Sequence, residues 1–309
     1  MSYFSRIERG LISKKRSVLE DKELFHKIRN LPTLPFIVTK VMEVMNNPRS
    51  SASDLAKIIS SEQSLAAKVL RLVNSAYYGF PNPITTISHA VAILGFNTLR
   101  SLVLGISTHE LFSKKSDGKF DRKELWLHSV ATAIAAKALA KRVNYPNPEE
   151  MFLAGLLHDI GKVILDQHMH QDFIKAIETA KVCNQPLFEA EKEVFGAHHG
   201  EVGKYIADQW KLPAVLSEAI RWHHEVELAK DHRQIAAIVH VGNNMVKVLK
   251  IGSSGNYAPP VIHPAAAEIL KMDQINVSDL TKEIQVGVRD CKAFLEIEHE
   301  EQEGEQAPA

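Results

Sequence analysis

The stretch "LAGLLHDIGKVIL", residues 153–165, sets a histidine and an aspartate, His158 and Asp159, inside an apolar run. Burying an ionised carboxylate is costly unless it is paired, hydrogen-bonded or bound to a metal. The fold must therefore supply Asp159 with a partner. Upstream, Asn147-Pro148-Glu149-Glu150 reads as a helix start: an N-cap, a proline at the first helical position, and two acids near the positive end of the dipole. On the helix that follows, Met151, Ala154, Gly155 and His158 share one face. Gly161 suits a helix end, which puts the His-Asp pair in the last turn. Gly155, one turn earlier, leaves room for a neighbouring backbone.

Helical periodicity continues on both sides. In "SEQSLAAKVLRLVNSA" (61–76), Leu65, Val69, Leu72 and Val73 form one stripe. In "SSASDLAKIIS" (50–60), Ser51 is an N-cap candidate, Asp54 lies in the first turn, and Leu55, Ile58 and Ile59 make the apolar face. "FNTLRSLVLGISTHELF" (96–112) repeats the pattern with Leu99, Leu102, Val103 and Ile106. "YYGFPNPITT" (77–86) between them is turn-rich. "VSDLTKEIQVGVRDCKAFL" (277–295) carries Leu280, Ile284, Val288 and Phe294 on one side. Alternating strand patterns are missing, so the expected fold class is all-α, a helical bundle.

The 309 residues are 45% hydrophobic and 24% charged, with a formal net charge of zero. Nothing global favours nucleic acid or an anionic membrane. Cys183 and Cys291 offer neither a disulfide framework nor zinc-type spacing. No apolar run reaches the roughly 18 residues of a membrane span. "MSYFSRIERGLISKKR" (1–16) has no apolar signal core, and a cytoplasmic location is expected. The expected organisation is a polar, flexible leader (1–22), an N-terminal helical group (23–115), and a second helical group holding the His/Asp cluster (116–250). A C-terminal loop, helix and acidic tail (251–309) complete it. "KKSDGKFDRKE" (114–124) joins the two groups.

Histidines recur on inward faces. His128 aligns with Ala131, Thr132 and Ala135; His199 with Val202, Gly203 and Ile206; His223 with Leu216, Ala219 and Ile220 on a helix begun by Pro213. One inward histidine is usually a structural residue with an ordinary hydrogen-bond partner. Four such faces beside an aspartate suit a divalent ion: imidazole and carboxylate ligate Zn, Fe, Mn or Ni, and bundles build such sites from facing helices. The adjacent pairs His198-His199 and His223-His224 are less specific, because neighbours on a helix diverge by about 100°.

At this point the chain resembles a known family. "WLHS" (126–129) and "LLHDIGK" (156–162) are similar to motifs of the HD superfamily of metal-dependent phosphohydrolases. "FGAHHGEVG" (195–203) and "IRWHHE" (220–225) resemble later elements of its HD-GYP branch. "LPTLP" (31–35), "KVLRLVNSAYYG" (68–79) and "AVAILG" (90–95) resemble the HDOD family, the HD-related output domain, over about Leu31 to Glu225. The resemblance implies an HD-domain-like bundle preceded by an N-terminal group of helices. It implies metal ligation by His128, His158 and Asp159. His199, His223 and His224 would complete a one- or two-ion site that Asp159 bridges. Lys162 matches a lysine near the substrate phosphate. Asn243, in "IVHVGNNMVK" (238–247), stands where relatives carry a ligating aspartate, and the glycine-tyrosine-proline motif is absent after His224. Asn243 is thus a degenerate ligand position.

Two functions follow from the resemblance. The first is a bacterial signal-transduction output or adaptor module with a protein partner, a retained metal site and little or no hydrolase activity. The alternative is a metal-dependent phosphohydrolase acting on a nucleotide or cyclic dinucleotide, with Asp159 and Lys162 as its catalytic residues. A nucleic-acid binder, using Lys14, Lys15, Arg16, Lys68, Arg71 and Arg100, fits poorly with zero net charge. Tyr77 and Tyr78 read as core and connector aromatics rather than a base-stacking platform.

Overall fold

The computed structural model describes Leu24, Ile28 and residues 36–47, 49–113 and 119–291. Among them every regular element is helical, as the 3.6-residue periodicity predicts. Helix α1 (Phe36–Asn46), α2 (Ala52–Ser60), α3 (Gln63–Val73), α4 (Ile87–Leu94) and α5 (Phe96–Ser113) form the N-terminal group. Helix α2 starts where expected. The Ser51 hydroxyl accepts from the Asp54 amide at 3.2 Å, and the Asp54 carboxylate accepts from the Ser51 amide at 2.9 Å, a reciprocal capping box. The stripes Leu55/Ile59, Leu65/Val69/Leu72/Val73 and Leu99/Leu102/Val103/Ile106 are all buried. Asn74 closes the following turn: its side chain donates to the Leu70 and Ile84 carbonyls and accepts from the Ile84 amide.

Helix α6 (Arg122–Arg142) is the axis of the second group. Its middle, Val130 to Ala140, is alanine-rich and buried on every side. The small side chains let α5, α7 (Pro148–Leu157), α13 (Arg233–Val248) and α15 (Val277–Asp290) pack on it together. Helix α5 also lies against α7, tied there by Ser101 Oγ on the Glu149 carbonyl (3.1 Å) and by Arg100 on Glu150 (3.4 Å). Arg100 is therefore spent inside the protein and cannot serve a basic patch. Lys14, Lys15 and Arg16, the leader 1–22, Phe294 and the acidic tail lie outside the described residues.

The remaining elements are α8 (Ile160–His168), α9 (His170–Cys183), α10 (Leu187–Phe195), α11 (His199–Gln209), α12 (Ala214–Trp222) and α14 (Pro264–Ile269). Two local expectations need correction. Asn147 precedes α7 but does not cap it through its side chain, which accepts from Asn97 Nδ2 at 3.3 Å. Gly161 does not end a helix either. Helix α7 stops at Leu157, His158 and Asp159 form the turn, and Gly161 lies in the first turn of α8 without a positive φ. Its missing side chain serves packing: a Cβ there would overlap the backbone of His199. Gly155 acts as expected, since a Cβ there would stand 2.7 Å from the Thr132 carbonyl of α6.

Candidate metal centre

His128, on α6, and the degenerate position Asn243, on α13, lie in the bodies of helices. His158 and Asp159 occupy the α7–α8 turn, His199 is the first residue of α11, and His223 and His224 follow the last turn of α12. Placement at helix ends explains how neighbours in sequence reach one point. Beyond a helix terminus the roughly 100° divergence no longer applies, and His223 and His224 both turn inward. His198 does not. It is the N-cap of α11, with Nδ1 accepting from the Gly200 amide and Nε2 3.1 Å from Glu225.

Asp159 sits between two sets of ligands. Its Oδ2 is 3.3 Å from His158 Nε2 and 3.9 Å from His128 Nε2. Its Oδ1 is 3.2 Å from His199 Nε2 and 3.7 Å from His223 Nε2. His199 Nε2 lies 3.4 Å from His223 Nε2 and 3.0 Å from His224 Nε2. Asn243 joins the first set, with Oδ1 3.1 Å from His128 Nε2. Two ligands bound at about 2.1 Å to one ion stand about 3.0 Å apart at a right angle and about 3.4 Å at the tetrahedral angle. The separations, 3.1–3.9 Å on one side of Asp159 and 3.0–3.7 Å on the other, overlap that range.

The tautomers fit the same purpose. His158 Nδ1 is 2.7 Å from the Gly155 carbonyl and His223 Nδ1 is 2.7 Å from the Ile220 carbonyl. Each Nδ1–H therefore donates outward, leaving the Nε2 lone pair aimed inward. His199 Nδ1 meets Glu191 Oε2 at 2.5 Å, and the same oxygen accepts from the His199 amide at 2.8 Å. Such partners behind a ligand fix its orientation and raise its basicity. Two buried acceptors, His158 Nε2 and Asp159 Oδ1, have no hydrogen bond. An orphan of that kind costs about 1–3 kcal/mol, and a cation between them removes the cost. The residues therefore fit one or two divalent ions: His128, His158, Asp159 and Asn243 could hold one, and Asp159, His199, His223 and His224 the other.

Electrostatics agree with this donor set. Burial, reinforced by neighbouring cationic groups, pushes His128, His223 and His224 well below the ordinary imidazole range, so they stand as neutral ligands. Burial alone would raise the Asp159 pKa, but His158 and Lys162 outweigh it and keep the carboxylate ionised. Burial likewise opposes protonation of His199, and Glu191 reverses the balance.

Lys162, which the resemblance sets near a substrate phosphate, has its Nζ 2.7 Å from Asp159 Oδ2. Its second partner was not foreseen: the Ser254 carbonyl, at 2.9 Å. The segment 252–256, expected as a plain loop, is a strap across the site. Gly252, at φ +63°, lies so close to α6 that a Cβ would stand 2.5 Å from the Glu124 carbonyl and the His128 amide. The Ser253 amide donates to the same Glu124 carbonyl at 3.0 Å. Asn256 Oδ1 accepts from the Leu187 amide at 3.1 Å. Beneath this cover His128, His158, Asp159, His199 and His223 are 0–1% exposed, and Lys162 is 1% exposed. His224 alone of the histidine ligands is part-exposed and marks the mouth of the site. Glu191 was also missed. Its signal was an acid four residues after Leu187, on the buried stripe of α10.

Among solved structures, the chain is similar to an HDOD domain protein of unknown function from Geobacter sulfurreducens. The identity is 26% and the TM-score 0.76, covering 92% of this chain and 98% of that one. It is also similar, at 26% identity and a TM-score of 0.68, to a Shewanella amazonensis SB2B protein provisionally named a phosphohydrolase, covering 88% and 97%. The chain spans less than half the length of the curated relatives it matches. It covers 43% of an uncharacterized protein of Treponema pallidum (strain Nichols), 27% identical over 225 residues that make up 72% of this chain. It covers 32% of YuxH of Bacillus subtilis (strain 168), 20% identical over 139 residues, or 45% of this chain. The HDOD domain matches residues 31–226, the span that contains every expected ligand except Asn243, and the chain belongs to the HDOD domain family.

Proposed function

We propose that this chain is a cytoplasmic output module of bacterial signal transduction, built round a divalent-metal centre and acting through a protein partner with little or no hydrolysis. The observation that carries this reading is the closure of the site. Five ligands and Lys162 are shut from solvent, and the lysine that would face a substrate phosphate is tied to Asp159 and the Ser254 carbonyl. Asn243 supports it further. An amide oxygen can ligate but brings no charge, so the His128 side of the centre carries one carboxylate where the aspartate-bearing pattern has two. No helix among the described residues is long and apolar enough to cross a membrane.

The second reading, a metal-dependent phosphohydrolase for a nucleotide or cyclic dinucleotide, is favoured by the intact histidine set on both sides of Asp159. A divalent ion supplies, when bound, the positive charge Asp159 requires and the Lewis acidity on which phosphoester hydrolysis depends. This chain's residues orient and desolvate that centre, and Lys162 and Asp159 hold its charge balance.

Elemental analysis of untagged protein separates the readings. One or two equivalents of Fe, Zn, Mn or Ni are expected, falling at least about tenfold in His158→Ala and Asp159→Ala. A reconstituted protein without metal overturns both readings. Turnover of a nucleotide or cyclic dinucleotide by the loaded protein, abolished in Asp159→Ala, replaces the first reading with the second.

A further inference from the structure

Beside the centre stands a part-buried lysine, Lys247. Lys247 lies on α13, one turn beyond Asn243, and so on the same helix face. It is part-buried, as is His224 beside the opening. Asn243, one turn back on that face, meets His128 at 3.1 Å, and the charge of Lys247 is felt by His128 and His224, as those of Lys162 and Asp159 are felt by Lys247. Yet among the described residues it makes no hydrogen bond and no ion pair.

The other cations nearby are committed. Lys162 serves Asp159 and Ser254. Arg221 bonds Glu225 at 2.8 Å and Glu201 at 2.9 Å. Lys192 bonds Glu225 at 2.7 Å. Asp159, the carboxylate that acts on Lys247, is already shared among four histidines and Lys162. A part-buried ammonium without a hydrogen-bonded counter-charge is unfavourable, and this one shares a helix face with Asn243, beside the candidate ligands.

We infer that Lys247, rather than Lys162, is the residue that receives the phosphoryl group of a phosphate-bearing ligand at this centre. The inference deepens the reading above and rests on its metal-binding part, but it needs no turnover. A phosphate oxygen set between the ammonium and the centre would satisfy both. One charge-assisted hydrogen bond of this kind is worth roughly a factor of ten or more in affinity. The strap then keeps its contacts while the ligand binds, because Lys162 need not let go of Ser254.

The test is calorimetric titration of inorganic phosphate into metal-loaded protein, with metal content measured on the same samples. Wild type is expected to bind, Lys247→Met to bind at least about tenfold more weakly, and Lys247→Arg to recover most of the loss. Lys250→Met, which removes an exposed charge nearby, should match wild type and so excludes a general charge effect. Loaded wild type that ignores phosphate overturns the inference and leaves the metal centre standing. Lys247→Met with wild-type affinity overturns it equally. Wild type that takes up no metal brings down the centre and this inference together, a pattern distinct from the other two.

Discussion

Burial and the charge of Lys162 hold the Lys247 ammonium down to about 7, against an ordinary 10.5. The sign of the consequence follows from proton counting. Below pH 7 both the folded and unfolded chains carry the proton, and the full penalty of burying the charge is present. Between about pH 7 and 10.5 the folded protein has lost the proton while the unfolded chain keeps it, so this group makes stability rise with pH across that window. Lys247→Met should therefore raise the melting temperature of metal-free protein at pH 7, by about 2–4 °C for each kcal/mol regained. The gap to wild type should narrow by pH 9.5. A melting curve unchanged at pH 7, or a gap that widens with pH, would show that Lys247 is solvated or paired. Functional groups commonly carry such a cost. The sequence did not reveal Lys247, since a lysine in the last turn of a helix is the ordinary complement to the helix dipole there. The clustering of His128, His158, Asp159, His199, His223 and His224 was legible because inward-facing histidines recurred on four helices and because their motifs resemble those of the HD superfamily. Glu191 was easy to pass over: its place on the stripe with Leu187 and Phe195 is all that separates it in sequence from the surface acids Glu189 and Glu193 of the same helix.

Helices could be read from the sequence because each needs only its own periodicity: α3 and α5 bury the residues their stripes predict, and α2 buries Leu55 and Ile59 while Ile58 stays half-buried. Elements held by backbone contacts could not. The strap 252–256 is seated through the Ser254 carbonyl, the Ser253 amide and the absence of a side chain at Gly252, none of which leaves a residue pattern. The α7–α8 turn was misjudged on the same account. A glycine that admits a neighbouring backbone and a glycine that ends a helix are the same letter, and Gly161 is the former. The strap has a measurable consequence. A left-handed conformation costs an ordinary residue about 1–2 kcal/mol, and Gly252→Ala adds contacts of 2.5 Å with Glu124 and His128. Lifting of the strap should become at least roughly tenfold more frequent. Transfer of metal from the loaded variant to a chelator should quicken by a similar factor, while equilibrium metal content stays near wild type. An unchanged transfer rate in a folded variant would mean that ions leave by another path, past His224.

Across the whole molecule, the ligand positions are spread over 115 residues, from His128 to Asn243, and the fold brings them together from five segments. The unfolded chain has no such assembly, so an ion at the centre binds the folded state almost exclusively. Its contribution is then set by mass action: about 2.7 kcal/mol when free metal exceeds its dissociation constant a hundredfold. For a chain of this size that corresponds to about 5–10 °C in melting temperature. The core does not depend on it. Buried apolar residues run continuously from Leu24 through α2, α3, α5, α6 and α13 to Ile284, and Asp159 keeps Lys162 as a partner without any ion. Chelator-treated protein should accordingly retain its helical circular dichroism and melt about 5–10 °C below the loaded form, whereas Asp159→Ala should melt at one temperature with or without metal. Coincident melting of loaded and stripped wild type would mean that the cluster binds no ion tightly enough to matter. Loss of helix on stripping would mean that the metal holds the second group of helices together, and the core described here would then be insufficient by itself.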